Sequence, residues 1–543
     1  MTGACDALLA VLADQGVTHL FGNPGSTELP LIDALSRQNR VRYVLGLHEA
    51  GVVGMADGYA QSTGRIAAVN LHTGPGVATA MAALMNARRA RVPLLVTAGT
   101  QHTALRGTDP FLGGDVVAIA REATVHAEEV DAAASLPAAL DRAARAALTP
   151  PCGPALVGIP LDVQTAAAAG EGTRAPWAGA PAPEPPPRAV ARAAELLAVA
   201  DAPAIVAGDG VAHAGGGAAV AALALRLGAP VWGEPHAARA PVAWNDALWA
   251  GYLPPMGDAI RATLAVHDVV LALGCPVFRV FGHSPGPPLA SGTHLVHADA
   301  DADGLGRNAR TDVALHADPR RAAEALLVAL PRRVPGARAR VHAAAAAHAA
   351  RRRASWADPV ADPRGITPHA LARAVDAHVR PGDMLVDEGL TSGRALRRSR
   401  RGRPGNWLAH RGSALGWGLP ACVGGAIAHP GRYCTCLQGD GGLVFGAHAL
   451  WTAARHGARV GLVVADNGGY EILRAGLRDL TGRPGGAWPG LGLGGYDPGA
   501  LCAAFGASVE RVERPRDLAS ALAGLRARSA DGPACLVVRV APG

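Results

Sequence analysis

The sequence contains no lysine, so all 51 of its basic residues are arginines. Aromatic residues make up only 4% and charged residues 17% of the 543 positions, whereas 49% are hydrophobic. This balance is typical of a folded globular chain and excludes a disordered one. We attribute the missing lysine to the base composition of the source genome and not to function.

The patterns of membrane, secreted and cysteine-rich metal proteins are also missing. No apolar run reaches the roughly 20 residues that a membrane span needs. The eight cysteines include no CxxC pair, and Cys434 and Cys436 alternate along an expected strand, so we expect reduced structural thiols. Residues 1–16 have the pattern of an amphipathic helix without a basic leader region. These features predict a soluble, cytoplasmic protein with no membrane partner.

The formal net charge of +7 raises the question of nucleic-acid binding. The basic excess is concentrated at residues 351–353 and 397–403, and no helix-turn-helix, zinc-finger or RNA-binding pattern accompanies it. We interpret the tract at 397–403 as a solvated loop or a subunit edge, and we expect no nucleic-acid partner.

The chain is too long for one hydrophobic core, since domains usually hold roughly 100–200 residues. Two segments rich in proline, alanine, glycine or arginine, residues 165–187 and 331–366, read as linkers. Between them, five, four and four short apolar runs alternate with helix patterns. This alternation predicts three α/β domains with parallel sheets, at residues 1–164, 188–330 and 366–543. Ligands should bind beyond the carboxyl ends of these strands.

The third block contains the strongest motif. An apolar run is followed by a turn and a helix pattern, and the turn consists of Gly439, Asp440, Gly441 and Gly442. Glycines there let the backbone approach a diphosphate, and the helix start supplies N–H donors. A second apolar run ends near Asn467 and Gly469. Asp440, the Asn467 amide oxygen and the Gly469 carbonyl could supply three of the oxygen ligands that Mg²⁺ prefers.

A single GDG turn is weak evidence, because residues 208–210 form a second copy. No Asn-Gly turn follows that copy at a similar distance, so we interpret it as a structural turn. Residues 439–469 resemble the diphosphate-binding motif of thiamine-diphosphate (ThDP) enzymes, although Asp466 stands where the family commonly has a second asparagine. The resemblance implies that the GDGG turn, Asn467, Gly469 and Tyr470 bind the cofactor and its Mg²⁺.

A ThDP enzyme also needs a glutamate beside the pyrimidine ring of the cofactor. By resemblance, this residue drives the ring into an imino form, which removes the thiazolium proton and yields the reactive ylid. Glu49 resembles that residue, although the helix dipole alone also favours an acidic first turn. Residues 410–418 resemble the segment that bends the cofactor, with Leu415 beneath it. An ordinary core leucine would give the same pattern.

Further segments narrow the resemblance to the benzoylformate decarboxylase branch, namely FGNPGSTELP, LHEAGVVGMADGYAQ, NLHT, GCPVFR and HALWTAARHG. The match covers nearly the whole chain and implies a homotetramer with active sites at dimer interfaces. In this branch the GNPGS serine contacts the substrate carboxylate and the NLH histidine exchanges protons, which correspond to Ser26 and His72. Without the resemblance, a turn serine and a hydrogen-bonded histidine would explain both.

Two segments depart from the branch. Phe281 stands where the branch has a second active-site histidine, and His283 follows two residues later. The segment after Tyr470 is expected to line the substrate pocket, and it contains Ile472 and Gly476. The branch has an aromatic residue near the end of this segment, close to the position of Gly476. We expect Gly476 to open the wall and Ile472 to narrow it, so the acyl group of the substrate is left open.

The resemblance therefore implies decarboxylation of a benzoylformate-like 2-oxo acid to an aldehyde and CO₂ through an ylid and an enamine, with ThDP and Mg²⁺. A ThDP carboligase of acetolactate-synthase or benzaldehyde-lyase type is the alternative. A non-catalytic ThDP-fold subunit is disfavoured because Glu49, Asp440 and Asn467 are all present. A Rossmann dehydrogenase is disfavoured because no GxGxxG follows a strand with an acidic residue at the right distance.

Overall fold

Three parallel sheets define the architecture. The computed structural model describes residues 3–167, 175–357, 361–362, 365–399, 407–412 and 414–541. Within these residues each large sheet has six strands, and every pair of neighbouring strands in it is parallel. The predicted fold class, three α/β units with parallel sheets, is confirmed.

The first sheet has the order β2-β1-β3-β4-β6-β5. Its strands are β1 (His19–Gly22), β2 (Arg42–Leu45), β3 (Ala67–His72), β4 (Leu94–Thr100), β5 (His126–Glu129) and β6 (Pro154–Pro160). Its helices are α1 (Ala4–Asp14), α2 (Leu29–Ser36), α3 (Glu49–Thr63), α4 (Thr73–Arg89), α5 (Val116–Ala120), α6 (Leu136–Leu148) and α7 (Leu161–Thr165). Strands β4 and β6 are buried along their whole length, as expected for the centre of a parallel sheet.

The second sheet has the order β12-β11-β10-β7-β8-β9. Its strands are β7 (Pro203–Ala207), β8 (Val231–Gly233), β9 (Trp249–Tyr252), β10 (Val269–Leu273), β11 (His294–Asp299) and β12 (Val313–His316). Its helices are α8 (Pro187–Val199), α9 (Asp209–His213), α10 (Gly217–Leu227), α11 (Gly257–Leu264) and α12 (Pro319–Ala329). The helix α13 (Ala337–Ala357) and the short ribbon of β13 (Ala361–Asp362) and β14 (Gly365–Ile366) lead to the third sheet.

The third sheet has the order β16-β15-β17-β18-β20-β19. Its strands are β15 (Met384–Glu388), β16 (Trp407–Ala409), β17 (Cys434–Gly439), β18 (Val460–Asp466), β19 (Ser508–Val512) and β20 (Ala534–Arg539). Its helices are α14 (Pro368–His378), α15 (Ser392–Ser399), α16 (Gly418–Ala428), α17 (Asp440–Gly446), α18 (Ala449–Arg455), α19 (Glu471–Thr481), α20 (Pro498–Ala504) and α21 (Leu518–Arg528). Because β17 and β18 are parallel neighbours, the two halves of the GDG–Asn motif lie side by side at the carboxyl ends of these strands.

The sequence predicted thirteen of these eighteen strands, and the missing five, β5, β9, β12, β16 and β19, all lie at sheet edges. An edge strand is covered less completely than a central one and need not be a continuous apolar run. In β12 buried and exposed residues alternate, and β19 has only one buried residue. The remaining edge strand, β2, was predicted.

Close helix packing and buried ion pairs both join the three units. Helix α3 packs closely on α16, because a side chain on Gly58 or Gly424 would collide with the backbone of the other helix. The buried guanidinium of Arg411 binds Glu234 at 2.7 Å and Asp209 at 3.2 Å in the second unit. Asp209 belongs to the second GDG copy, so this turn has a structural partner, in line with its interpretation from the sequence.

Some predicted features lie partly outside the described residues, namely residues 168–174 of the first linker, residues 400–403 of the arginine tract and Ser413. Residues 175–186 of that linker form neither helix nor strand, whereas α13 occupies the second linker. The domain boundaries given above stay a prediction. All eight cysteines are free, and none of the described helices is long and apolar enough to cross a membrane.

Candidate active site

Glu49 is the first residue of α3, directly after the loop that follows β2. Its side chain is half-buried and accepts a hydrogen bond from Asn23 Nδ2 at 3.1 Å. His48 caps the helix, since its Nδ1 accepts from the Ala50 N–H. The helix start thus fixes the backbone of Glu49, and Asn23 of the GNPGS motif fixes its carboxylate.

His72 ends β3, and its ring contacts the loop after β1. Its Nδ1 lies 2.8 Å from Glu28 Oε2 and 3.1 Å from Thr27 Oγ1. A Cβ atom on Gly76 would lie within 4 Å of both His72 and Glu49. The fold therefore brings the predicted proton-transfer histidine and the predicted catalytic glutamate together against Gly76.

Ser26 opens the short 3-10 helix Ser26–Glu28 and exposes its side chain. The next two residues, Thr27 and Glu28, are buried beneath it. The loop thus presents one hydroxyl outward on a turn that buried groups fix from below. We call Asn23, Ser26, Glu28, Glu49 and His72 the first half-site.

Asp440 connects the ends of two neighbouring strands in the third unit. Its Oδ1 accepts from the Gly441 N–H at 2.8 Å, and its Oδ2 accepts from the Gly469 N–H at 3.0 Å. Burial raises the pKa of this carboxyl to about 6, and the charge of Asp466 adds to the effect, while the backbone donors oppose it. A divalent cation beside Asp440 would favour its ionised form.

The predicted diphosphate and metal ligands surround this carboxylate. The Oδ1 atom of Asn467 is buried and has no hydrogen-bond partner within the described part of the chain. Gly468 has a φ of 74°, a conformation that glycine adopts at little cost. A Cβ on Gly439 would point into open space, whereas one on Gly441 would collide with the Tyr470 ring.

The site thus contains the buried Asn467 oxygen, the Asp440 carboxylate and an open glycine turn. A hard cation that is shared with a diphosphate prefers such oxygen ligands. Both groups fit the residues present. We call the residues predicted to bind the diphosphate and Mg²⁺ the second half-site. They are Gly439, Asp440, Gly441, Gly442, Asn467, Gly469 and Tyr470.

The loop that contains Leu415 is held from two sides. The buried carboxylate of Glu388, at the end of β15, accepts from the Gly416 and Gly418 N–H groups, each at 2.5 Å. Burial raises the pKa of Glu388 to about 8 against the effect of these donors. From the first unit, Asp57 accepts from the Trp417 indole at 3.0 Å. The half-buried Leu415 therefore lies on a fixed loop, as the predicted cofactor support would require.

Within the described residues, no hydrogen bond or ion pair joins the first half-site to the second. The two units do meet nearby, since the His48 and His448 rings lie 5.2 Å apart and Thr452 donates to the Leu45 carbonyl. Within the described residues, the two half-sites thus belong to units that meet nearby, but they share no hydrogen bond or ion pair.

The two departures from the branch lie on exposed surfaces. Phe281 is 84% exposed, and His283 is exposed two residues later on the same loop. Gly476 lies on α19, and a Cβ there would meet nothing within 4 Å. Which of Phe281 and His283 serves the site stays open, and the open wall at Gly476 stays a prediction.

Sequence reasoning assigned no role to Asn23 and Glu28, although both stand inside the GNPGSTELP segment. Glu388 and Asp57 were also missed as supports of the Leu415 loop. Glu28 stands two positions after the motif serine and is visible in the sequence. Its partners His72 and Gly99 lie on β3 and β4, so only the folded chain identifies them.

Comparison with known proteins agrees with this geometry and defines the class first. Residues 1–128, 190–326 and 387–538 match the N-terminal TPP binding, central and C-terminal TPP binding domains of thiamine pyrophosphate enzymes. TPP is thiamine pyrophosphate, the same compound as ThDP, so the chain has every domain of a ThDP-dependent enzyme.

Relatives then define the family. The benzoylformate decarboxylase of Pseudomonas aeruginosa is 33% identical over 97% of both chains. The acetolactate synthase isozyme 1 large subunit of Escherichia coli is 30% identical over 86% of this chain and 82% of that protein. The ThDP-dependent 4-hydroxybenzoylformate decarboxylase of Rhodococcus jostii has a TM-score of 0.87 at 29% identity, with 99% of each chain covered. The chain belongs to the ThDP-dependent decarboxylase family, as a homologue of benzoylformate decarboxylase.

Proposed function

We propose that the protein uses ThDP and Mg²⁺ to decarboxylate a 2-oxo acid of the benzoylformate type to an aldehyde and CO₂. The observation that carries the proposal is the first half-site, where the Glu49 side chain and the Cβ of His72 both lie next to Gly76. A proton acceptor for the cofactor and a proton carrier for the substrate are thus available side by side. The benzoylformate decarboxylase relative supports the substrate class.

When bound, ThDP would supply the carbon nucleophile and the electron sink that decarboxylation of a 2-oxo acid needs. Glu49 holds and returns a proton at the pyrimidine ring, and Asn23 keeps its carboxylate in place. Ser26 offers its exposed hydroxyl to the substrate carboxylate. His72 delivers a proton to the former carbonyl carbon before the aldehyde departs.

Asp440, the Asn467 amide oxygen and the Gly469 carbonyl would hold Mg²⁺, and the GDGG turn would hold the diphosphate. Two observations support this assignment. The Asn467 Oδ1 is buried without a hydrogen-bond partner among the described residues, and the Asp440 carboxylate lies 3.0 Å from the Gly469 N–H. Mg²⁺ keeps several positions for phosphate oxygens and water, so three protein ligands suffice.

We also propose that the active site is completed between two subunits of a homotetramer. The first and second half-sites share no hydrogen bond or ion pair in the described part of one chain. A second copy could supply the missing half, as the family resemblance implies. Loss of activity on dissociation into folded monomers would support this arrangement.

A ThDP-dependent carboligase is the second candidate, because Phe281 stands where the branch has a histidine and an acetolactate synthase is among the relatives. One experiment separates the two. Purified protein with ThDP and Mg²⁺ is incubated with benzoylformate, 4-hydroxybenzoylformate and pyruvate, and CO₂ and the organic products are quantified. Benzaldehyde or its 4-hydroxy analogue is the expected product. Acetolactate alone would favour the carboligase, and no CO₂ from any substrate would contradict both.

Ser26→Ala and His72→Ala extend this test. Each should lower kcat/KM, with His72→Ala costing about 10²–10⁴-fold, the usual contribution of an acid–base group. The ThDP affinity should stay nearly unchanged, because neither side chain lies in the second half-site. Loss of cofactor binding in both variants would return them to an ordinary structural role.

A further inference from the structure

Glu28 is a fully buried carboxylate in the first half-site, with four hydrogen-bond partners. Its Oε1 accepts from Thr27 Oγ1 at 2.8 Å and from the Gly99 N–H at 3.0 Å. Its Oε2 accepts from the Gly25 N–H at 2.9 Å and lies 2.8 Å from His72 Nδ1. A buried carboxylate needs such partners, because an isolated buried charge is costly.

These contacts determine the tautomer of His72. An ionised carboxylate only accepts hydrogen bonds, so Nδ1 must carry a proton to bond Glu28. The Thr27 hydroxyl already donates to Glu28 and can only accept from Nδ1. Neutral His72 therefore has its lone pair on Nε2, and no hydrogen bond engages Nε2 among the described residues.

The backbone is shaped around this pair. A Cβ on Gly25 would collide with the His72 ring, and one on Gly99 would collide with the Glu28 carboxylate. Thr73, directly after the histidine, has a φ of 49°. This conformation is costly for a β-branched residue, and such strain concentrates at functional sites. Two glycines and one strained residue thus serve the orientation of a single imidazole.

We propose that Glu28 is a positioning residue that fixes the proton of neutral His72 on Nδ1 and presents Nε2 to the substrate. The inference rests on the proposed function, because it assumes that His72 exchanges protons with the substrate. Glu28 itself does not touch the substrate. It acts through the histidine, by holding the ring and by stabilising its protonated form once Nε2 accepts a proton.

A double-mutant cycle tests the coupling. The kcat and KM values are measured for wild type, Glu28→Gln, His72→Ala and the double variant, with the best 2-oxo acid from the substrate panel. Glu28→Gln should lower kcat by about 10–10²-fold with little change in KM. This loss is smaller than that from removing His72, because Glu28 acts only through the histidine. In the His72→Ala background the same substitution should cost less than about twofold, because coupled residues are not additive.

Asp57→Asn is the matched control. Asp57 is also a buried carboxylate of the first unit, and its hydrogen bonds go to Gln61 and Trp417 instead of His72. If Asp57→Asn lowers kcat, it should do so by the same factor in the wild type and in the His72→Ala background. If the Glu28→Gln effect multiplies in the same way, Glu28 only supports the fold and the proposal is wrong.

A second measurement needs no turnover. Diethylpyrocarbonate acylates unprotonated imidazole, and mass spectrometry of the peptide that contains His72 gives its rate at each pH. Glu28 contacts His72 directly, whereas Glu49 of α3 lies across Gly76. Removing the Glu28 charge should lower the rate of His72 acylation at a fixed pH, because nothing then keeps the proton on Nδ1 and the lone pair on Nε2. Asp57→Asn should leave that rate unchanged.

The two hypotheses fail differently. Without turnover of any 2-oxo acid by wild type, the proposed function fails, and the chemical modification still decides on Glu28. With turnover but an unchanged acylation rate of His72, only the positioning role fails. If Glu28→Gln does not fold, as judged by circular dichroism, Glu28→Asp keeps the buried charge but shortens its reach. That variant should retain cofactor binding and still lose kcat.

Discussion

The Gly469 N–H donates to Asp440 Oδ2 at 3.0 Å, although 29 positions separate the two residues in the sequence. This contact joins the end of β17 to the turn after β18, and it brings the buried Asn467 oxygen to the same sheet edge. The Asp440 carboxylate, the Asn467 amide and the Gly469 backbone thus lie at the ends of two neighbouring strands, where the proposed magnesium diphosphate site would be.

Asp440→Ala should abolish retention of both ThDP and Mg²⁺, because Asp440 is the one charged ligand in the second half-site. Calorimetric titration of the variant with each measures the loss. Asp209→Asn, in the second GDG copy, is the matched control and should bind ThDP with wild-type affinity. Unchanged cofactor binding by Asp440→Ala would show that the ligands lie elsewhere.

Glu49→Gln should bind ThDP with nearly wild-type affinity but lose most activity, since an amide cannot hold the proton that the pyrimidine ring must exchange. Quenched-flow NMR of hydrogen–deuterium exchange at C2 of the bound cofactor measures the defect directly. We expect a slowing of at least about 10²-fold, the lower range for a proton-transfer group. Exchange at the wild-type rate would rule out this role.

The free energy of unfolding of the wild type, relative to that of Glu388→Gln, should fall as the pH rises from about 5 to 8. The pKa of Glu388 is raised from its ordinary 4.5 to about 8 by burial, so the folded state binds the proton more tightly than the unfolded state. That contribution is complete below the unfolded pKa and is lost as the pH passes the folded one. Thermal unfolding of both proteins at each pH measures the difference, which should level off above pH 8. A constant difference would contradict the raised pKa.

Arg411→Leu should destabilise the protein by about 3–5 kcal/mol, because it leaves Asp209 and Glu234 buried without their cation. Adding Asp209→Asn and Glu234→Gln should recover part of the loss, since the uncompensated charges are then removed. Denaturant unfolding of the single and triple variants checks this. Equal stabilities of the two would mean that the lost packing matters and the charge does not.

Phe281→His should raise the ratio of aldehyde to carboligation product when an aldehyde acceptor is added. A proton must reach the former carbonyl carbon before the aldehyde departs, and a second histidine would speed that step. His283→Ala should change the ratio little if Phe281 occupies the branch position. A strong loss of decarboxylation in His283→Ala would instead assign the missing role to His283. Product analysis by chromatography distinguishes the outcomes.

The sequence alone determined the fold class, the central strands and the cofactor motifs. Central parallel strands are buried on both faces, so runs such as Val460–Asp466 are recognisable without a structure. Glycine turns at strand ends also reveal themselves, because few residues other than glycine allow the backbone approach that a diphosphate needs. Glu49, Asp440 and Asn467 were predicted in this way, from local patterns supported by the family resemblance.

Only the tertiary structure decided which groups work as pairs. Glu28 is an ordinary acidic residue in the sequence, and its carboxylate gains a role from His72 on β3 and the backbone of β4. Glu388 likewise reaches the loop after β16, and Arg411 reaches two carboxylates in another unit. Hydrogen bonds and ion pairs depend on distances of about 3 Å. Residues far apart in the chain meet at such distances only when the sheets have formed and packed, and no local pattern encodes that encounter.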